Sequence, residues 1–328
     1  MSESGSTGAS VRLYNAAEVS SARGGPNAQQ IIVFVKLLIT STGTIYAIGR
    51  AVTSGLHPAE PLIFFTFYFL TMIGITIGFH RLFSHVSFKT TKWMRMLLAI
   101  LASMGSQGPL FTWVADHRRH HDLSDEEGDT HSPNRHGRHF IGRLRGFWHA
   151  HIGWMFTNQP ASWARYIPDL MKDREMFWVH RHYFGWVFLG LLLPTLAGFW
   201  LIGSWEGAFS GFLWGGLVRI FATSQVVLSI GSLGHMFGSR PFRERTQDYS
   251  ANNWWISLLS FGECLQSNHH AFPASARHGL RWWEPDFNYF LIRLWRIVGL
   301  VWDVKLPPNA AIIRACRLKK APDNVKAA

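Results

Sequence analysis

The chain is poor in charge. Only 16% of its 328 residues are Asp, Glu, Lys or Arg, against roughly 25% in soluble proteins, which excludes an ordinary water-soluble domain over the whole length. Cysteine is almost absent. Cys264 and Cys316 are too few for a disulfide framework and fit a reducing compartment. There is no Cys-x-x-Cys set and no haem-attachment motif, so no redox centre of those kinds is expected within the chain. No apolar core follows Met1 directly, so no signal peptide is expected. No repeat of fixed period is visible.

What the chain has instead is apolar bulk: 48% hydrophobic residues, with 25 Phe and 16 Trp, and a net charge of +12. A basic balance suits nucleic acid, anionic lipid or an acidic substrate. Here the basic residues lie between apolar runs, which favours a membrane surface. Residues 1–28 are rich in Ser, Gly and Ala and are expected to be disordered. Four runs are long enough to cross a bilayer, which needs about 20 residues: about 31–50, 61–79, 183–203 and 207–231. Their short links make two helical hairpins. Lys36 can snorkel to the interface, and Arg219, inside the last run, is expected to face the protein interior or water. A further apolar run, 96–115, is broken at Gly105–Pro109. It is read as a partly buried or interfacial helix, because a crossing there would part the histidines on either side of it. The segment 80–182 is rich in Lys and Arg, whereas the opposite face has only Arg50. The rule that positive loops stay inside therefore puts 80–182 and both termini in the cytoplasm. A single domain, 29–310, is expected, followed by a basic tail, 311–328.

The histidines organise this frame. His80 and His85 stand in HRLFSH, His117, His120 and His121 in HRRHH, His235 in SLGHMF, and His269 and His270 in QSNHH. Spacings of three and four share a helix face, so HRRHH can aim three imidazoles one way, and Gln266, His269 and His270 repeat the pattern. His80 and His85, five apart, fit one face loosely, and the helix there is expected to fray or extend. Neutral imidazole is a ligand for iron, zinc and copper. Eight exceed what one four-coordinate zinc uses, so the count suits two metals. Ligating histidines usually donate their other ring N–H to a carboxylate or carbonyl, and Asp116, Asp248 and Glu263 are the candidates. His131, His136, His139, His149, His151, His180 and His182 are mostly expected at the surface, His57 on the far side, and His278 outside the ligand set.

Five stretches carry a resemblance: GFHRLFSH (78–85), DHRRHH (116–121), GSLGHMFGSRPF (231–242), FGECLQSNHHAFPASARHGLRWWEPD (261–286) and GLVWDVKLP (299–307). In order and spacing they resemble the integral-membrane fatty-acid desaturases, near the acyl-CoA (stearoyl-CoA) desaturase branch. The resemblance implies an all-α membrane protein, with four transmembrane helices and a cytosolic helical cap bearing the histidine boxes. It also implies a diiron centre, a kinked acyl tunnel lined by Trp and Phe, and an external electron donor such as ferredoxin, cytochrome b5 or a flavoprotein reductase. Three positions depart from the family pattern. Gln266 stands where the third box usually opens with His, and it can offer its carbonyl oxygen to metal directly or through water. Gly231 stands where Asn usually supports the metal through water. Ala115 stands where eukaryotic acyl-CoA relatives have Arg, which weakens the case for CoA as carrier. Cys264 replaces a frequent Gly and is read as a small buried residue.

The expected activity is O2-dependent desaturation of a long acyl chain in lipid metabolism, on CoA, another thioester or a lipid. Hydroxylation or acetylenation of a specialised lipid is the rival within oxidation chemistry. A non-redox lipid-binding membrane protein is the rival outside it. Chain length, double-bond position, redox partner and oligomeric state are not legible in the residues.

Overall fold

The computed structural model describes residues 27–137, 139–157, 160–242 and 248–320. The segment 1–26, expected to be disordered, and the end of the basic tail, 321–328, lie outside the described residues.

Four helices are long and apolar enough to cross a membrane: Ala28–Ser54, Ala59–Ser84, Tyr183–Ile202 and Trp205–His235. The first starts in a capping box, in which Asn27 accepts from the Gln30 amide and the Gln30 side chain accepts from the Asn27 amide. The first and third spans leave most of their apolar surface uncovered, whereas the second and fourth are more deeply packed. The former pair therefore presents the apolar face that suits lipid. The third and fourth spans turn at left-handed Gly203, and Ser204 caps the fourth by accepting from the Gly207 amide. Their backbones then close together. A Cβ at Gly198 would fall 2.1 Å from the Gly207 carbonyl oxygen, and one at Gly211 2.1 Å from that of Pro194. Small residues at the contact are what let membrane helices approach this far.

The apolar run 96–115 divides at Gly105–Pro109 into two helices, Lys92–Met104 and Leu110–Leu123. The second helix carries HRRHH. Further short helices, among them Phe140–His151, Gln266–Ala271 and Phe287–Ile297, build the cap beside the four spans. One two-stranded clip pairs Lys89–Thr90 with Val301–Trp302. It ties the GLVWD stretch to the chain leaving the second span.

Three sequence expectations change. The second span does not fray at its histidines. From Gly74 to Ser84 it widens into π-type turns with i→i+5 bonding, and the His85 amide donates to the His80 carbonyl at 3.2 Å. Such turns place residues five apart on one face, so the ring centroids of His80 and His85 come within 4.8 Å. Lys36 does not snorkel. Its ammonium turns inward and donates to the Ser106 carbonyl at 3.1 Å, because the break at Gly105–Pro109 leaves that acceptor free beside the first span. His151 is not a surface residue. It is 8% exposed and pairs with Ser232 and Gln225 of the fourth span, each at 3.0 Å, since its helix packs against that span. Arg219 faces the interior, as expected, and its guanidinium donates to the carbonyls of Gly215, Met104 and Gly190.

Candidate metal centre

The π-type end of the second span, the HRRHH helix, the end of the fourth span and the Gln266–Ala271 helix meet at one place. Their histidines form two adjacent groups. His80, His85, His117, His121 and His269 make the first, and their potential ligand atoms all lie within 4.8 Å of one another. Nε2 of His269 is 3.0 Å from Nε2 of His80 and 2.9 Å from Nε2 of His121, and Nε2 of His85 is 2.8 Å from Nε2 of His117. His120, His235 and His270 make the second group. The groups abut because His120 and His121, like His269 and His270, are chain neighbours that point apart.

The chemistry of the donors points to cations. His80 presents Nδ1 to the Glu263 carboxylate, which only accepts, so the proton is on Nδ1 and Nε2 carries a bare lone pair. Burial, reinforced by neighbouring imidazoles, holds His85, His117, His121 and His269 well below the usual histidine range. They are therefore neutral, and protonation does not relieve the crowding of lone pairs. Two metal–nitrogen bonds of about 2.1 Å at a right angle put their nitrogens about 3 Å apart, which matches the spacings observed.

In the second group every Nδ1 faces an aspartate: His120 with Asp129 at 3.0 Å, His235 with Asp125 at 2.9 Å and His270 with Asp248 at 2.9 Å. Nε2 of His235 and of His270 are buried without a partner. A carboxylate on one nitrogen and an open lone pair on the other is the arrangement that orients an imidazole toward metal. Burial alone would raise these carboxyls. The imidazoles and hydrogen bonds they face hold Asp125 down to about 2 and Asp129 and Asp248 below the usual range. Glu263 is held low by Arg81 and His80. Arg81, fully buried, bonds Glu263 and Asp286, both at 2.9 Å, so the carboxylate behind His80 is itself fixed.

The structure thus gathers all eight histidines that the sequence singled out, and it places Glu263 and Asp248 behind two of them. Asp116 is different. Its carboxylate accepts from the Ala161 amide at 3.2 Å and faces no ring nitrogen, because its position on the HRRHH helix turns it toward the cap; burial raises it to about 6. The amide nitrogen of Gln266 donates to the Glu263 carbonyl, which leaves its oxygen as the free end. Cys264 is fully buried, and burial pushes its thiol up, so it is a poor thiolate.

Sequence reasoning missed Asp125 and Asp129. The signal was the acidic run SDEEGD, two residues after HRRHH, which reads equally as a solvated loop. It also set aside His278 and His131. His278 is 1% exposed with both ring nitrogens unpartnered, its ring 4.4 Å from that of His269 and its Nδ1 3.8 Å from Glu263. His131 stands 4.4 Å from the His120 ring.

A cavity of about 760 Å³ opens onto both groups. Near the histidines its wall includes Trp113 and Trp154, and farther on it is mostly apolar, reaching Thr40 of the first span and Leu217 of the fourth. Leu217 precedes His235 by about 18 residues, roughly 27 Å of helix.

A model of the fatty acid desaturase family matches residues 59–289. A hex-5-enoyl-[acyl-carrier protein] acetylenase from Moorena producens is 46% identical over 283 residues, covering 86% of this chain and 87% of that protein. An sn-1 stearoyl-lipid 9-desaturase from Synechocystis sp. is 38% identical over 243 residues, 73% of this chain and 70% of its own. Delta-9 acyl-lipid desaturase 2 from Arabidopsis thaliana is 37% identical over 246 residues, 75% of each chain. Two buried histidine groups on the wall of a largely apolar cavity, beside four membrane-length helices, are what such a match should contain. The chain belongs to the fatty acid desaturase family and is a membrane-bound oxidoreductase of acyl chains.

Proposed function

We propose that the chain is an O2-dependent diiron desaturase of a long acyl chain. One iron is held by His80, His85, His117, His121 and His269, the other by His120, His235 and His270 with Gln266 beside them. The observation that carries this is the convergence of buried imidazoles on the wall of a largely apolar cavity. When bound, the two irons supply the O2 chemistry that removes hydrogen from unactivated carbon. In the overall reaction one O2, two electrons, two protons and the two hydrogens taken from neighbouring carbons end as two waters and a double bond. The electrons come from an external donor of the ferredoxin, cytochrome b5 or flavoprotein-reductase type.

The chain's own residues do the positioning. The mostly apolar wall between the spans binds the acyl tail and excludes water, and the depth to which the tail inserts decides which carbons lie against the histidines. Trp113 and Trp154 narrow the end near the metals. Glu263, Asp125, Asp129 and Asp248 keep the ring protons on Nδ1 and the lone pairs inward. The basic cap holds the anionic headgroup or carrier, and it faces the cytoplasm.

A second reading has specific support. The Moorena producens relative that matches 86% of this chain is named as an acetylenase of a short, carrier-bound alkene. The cavity's reach to Leu217 exceeds what a six-carbon chain fills, and this favours the long-chain desaturase. The test is mass spectrometry of lipids and acyl thioesters made by the purified protein, supplied with iron, O2 and a reductase system. Saturated long chains and terminally unsaturated short chains are offered in parallel. A new double bond in the long chain supports the first reading; a triple bond formed only from the short alkene replaces it with the second. Protein that retains no iron under anaerobic reconstitution overturns both.

A further inference from the structure

The two histidine groups are unequal. The first has five imidazoles and the second three, and the nearest neutral donor chemistry in the third box is the amide oxygen of Gln266, weaker than imidazole toward iron. A further imidazole stands at that end. His131 packs its ring 4.4 Å from the His120 ring, at 31° between planes. Both rings approach the same carboxylate by Nδ1: His120 is 3.0 Å from Asp129 Oδ2, and His131 is 3.7 Å from Asp129 Oδ1. Both rings line the cavity, together with Gly231, His235 and Gln266.

Gly231 makes the room. A Cβ there would meet His131 Cδ2 at 3.0 Å and Nε2 at 3.6 Å, so any side chain at 231 presses on this imidazole. Its ligand atoms group with those of His120 and Asp129 rather than with the whole triangle. Ligation therefore takes a side-chain rotation toward His235.

Resting on the diiron centre proposed above, we propose that His131 is a ligand of the second metal, bound through Nε2 and oriented by Asp129 together with His120. The site then has four imidazoles, from the HRRHH helix, the loop after it, the fourth span and the third box. This assigns a ligating role to a histidine outside the boxes, and it explains how a site that meets Gln266 rather than a further histidine retains its metal.

The test uses full-length protein in detergent or nanodiscs, loaded anaerobically with Fe(II) or, in parallel, Co(II). Metal per chain after a graded chelator challenge is one readout, and the Co(II) ligand-field absorption is the other. Neither needs turnover. In His131→Gly the second metal should be lost at a chelator concentration about 10-fold or more below that for wild type, while the first is kept. Added imidazole should restore both occupancy and the Co(II) spectrum, a rescue that a merely supporting residue would not show. Gly231→Ala keeps every imidazole but crowds His131, so it should shift the Co(II) bands and ease release of the second metal; it also serves if His131→Gly does not accumulate. An unchanged spectrum and equal retention in the folded variants would overturn the assignment, as would metal loss in Gln266→Ala but not in His131→Gly. Wild-type protein that binds no metal would instead sink the diiron reading itself.

Discussion

At the scale of residues, the proposed centre depends on carboxylates as much as on imidazoles. Asp129→Asn keeps the shape but lets the amide present a donor to His120, which disturbs the tautomer that aims Nε2 inward. Such changes behind a ligand typically cost 10–100-fold in metal affinity or activity. The expected outcome is earlier loss of one metal in a chelator titration, with the protein still folded by size exclusion. Arg81 is the harsher case. It is fully buried between Glu263 and Asp286, and Arg81→Met leaves both charges without their partner. Breaking a buried pair this way costs about 3–5 kcal/mol, so thermal unfolding should fall by many degrees and the variant should accumulate poorly. Much of the site was legible here, since His boxes at helical spacing declare themselves. Asp125, Asp129, His131 and His278 did not, because they reach the rings from irregular loops where no periodicity marks a facing side chain.

At the scale of elements, the four membrane-length helices follow from apolar length and tight links, and the broken run at 96–115 from its Gly-Pro interruption. The π-type turns over Gly74–Ser84 were not foreseeable from hydropathy, since the apolar residues there are compatible with either winding. Their signature is only the odd five-residue interval between His80 and His85. Inserting an alanine between Leu82 and Phe83 lengthens that interval to six, which neither winding puts on one face. The expected result is protein that still reaches the membrane yet loses the metal of the first group, read as about half the wild-type metal content. Gly74 offers a control on packing. A Cβ there would fall 2.2 Å from the Ala102 backbone nitrogen, so Gly74→Val should separate the second span from the Lys92–Met104 helix and abolish a monodisperse elution peak.

At the scale of the whole molecule, the distribution of Lys and Arg predicts sidedness. Tags at either terminus and at residue 160 should report the cytoplasm, and tags at 57 or 205 the opposite side; a tag at 160 on the far side would refute the arrangement. The proposed metal centre also imposes an order on the protein's making. Its imidazoles come from His80 at one extreme and His269 and His270 at the other, and the carboxylate behind His80 is Glu263, locked through Arg81 to Asp286. A ribosome that has delivered all four spans to the translocon has therefore not yet delivered the third box or its anchor. Until those last residues emerge, the six histidines of the two groups from His80 to His235 are displayed as an open, unfinished cluster beside the membrane, and metallation of the proposed centre becomes an event of late synthesis, gated by the arrival of Glu263 and the third box.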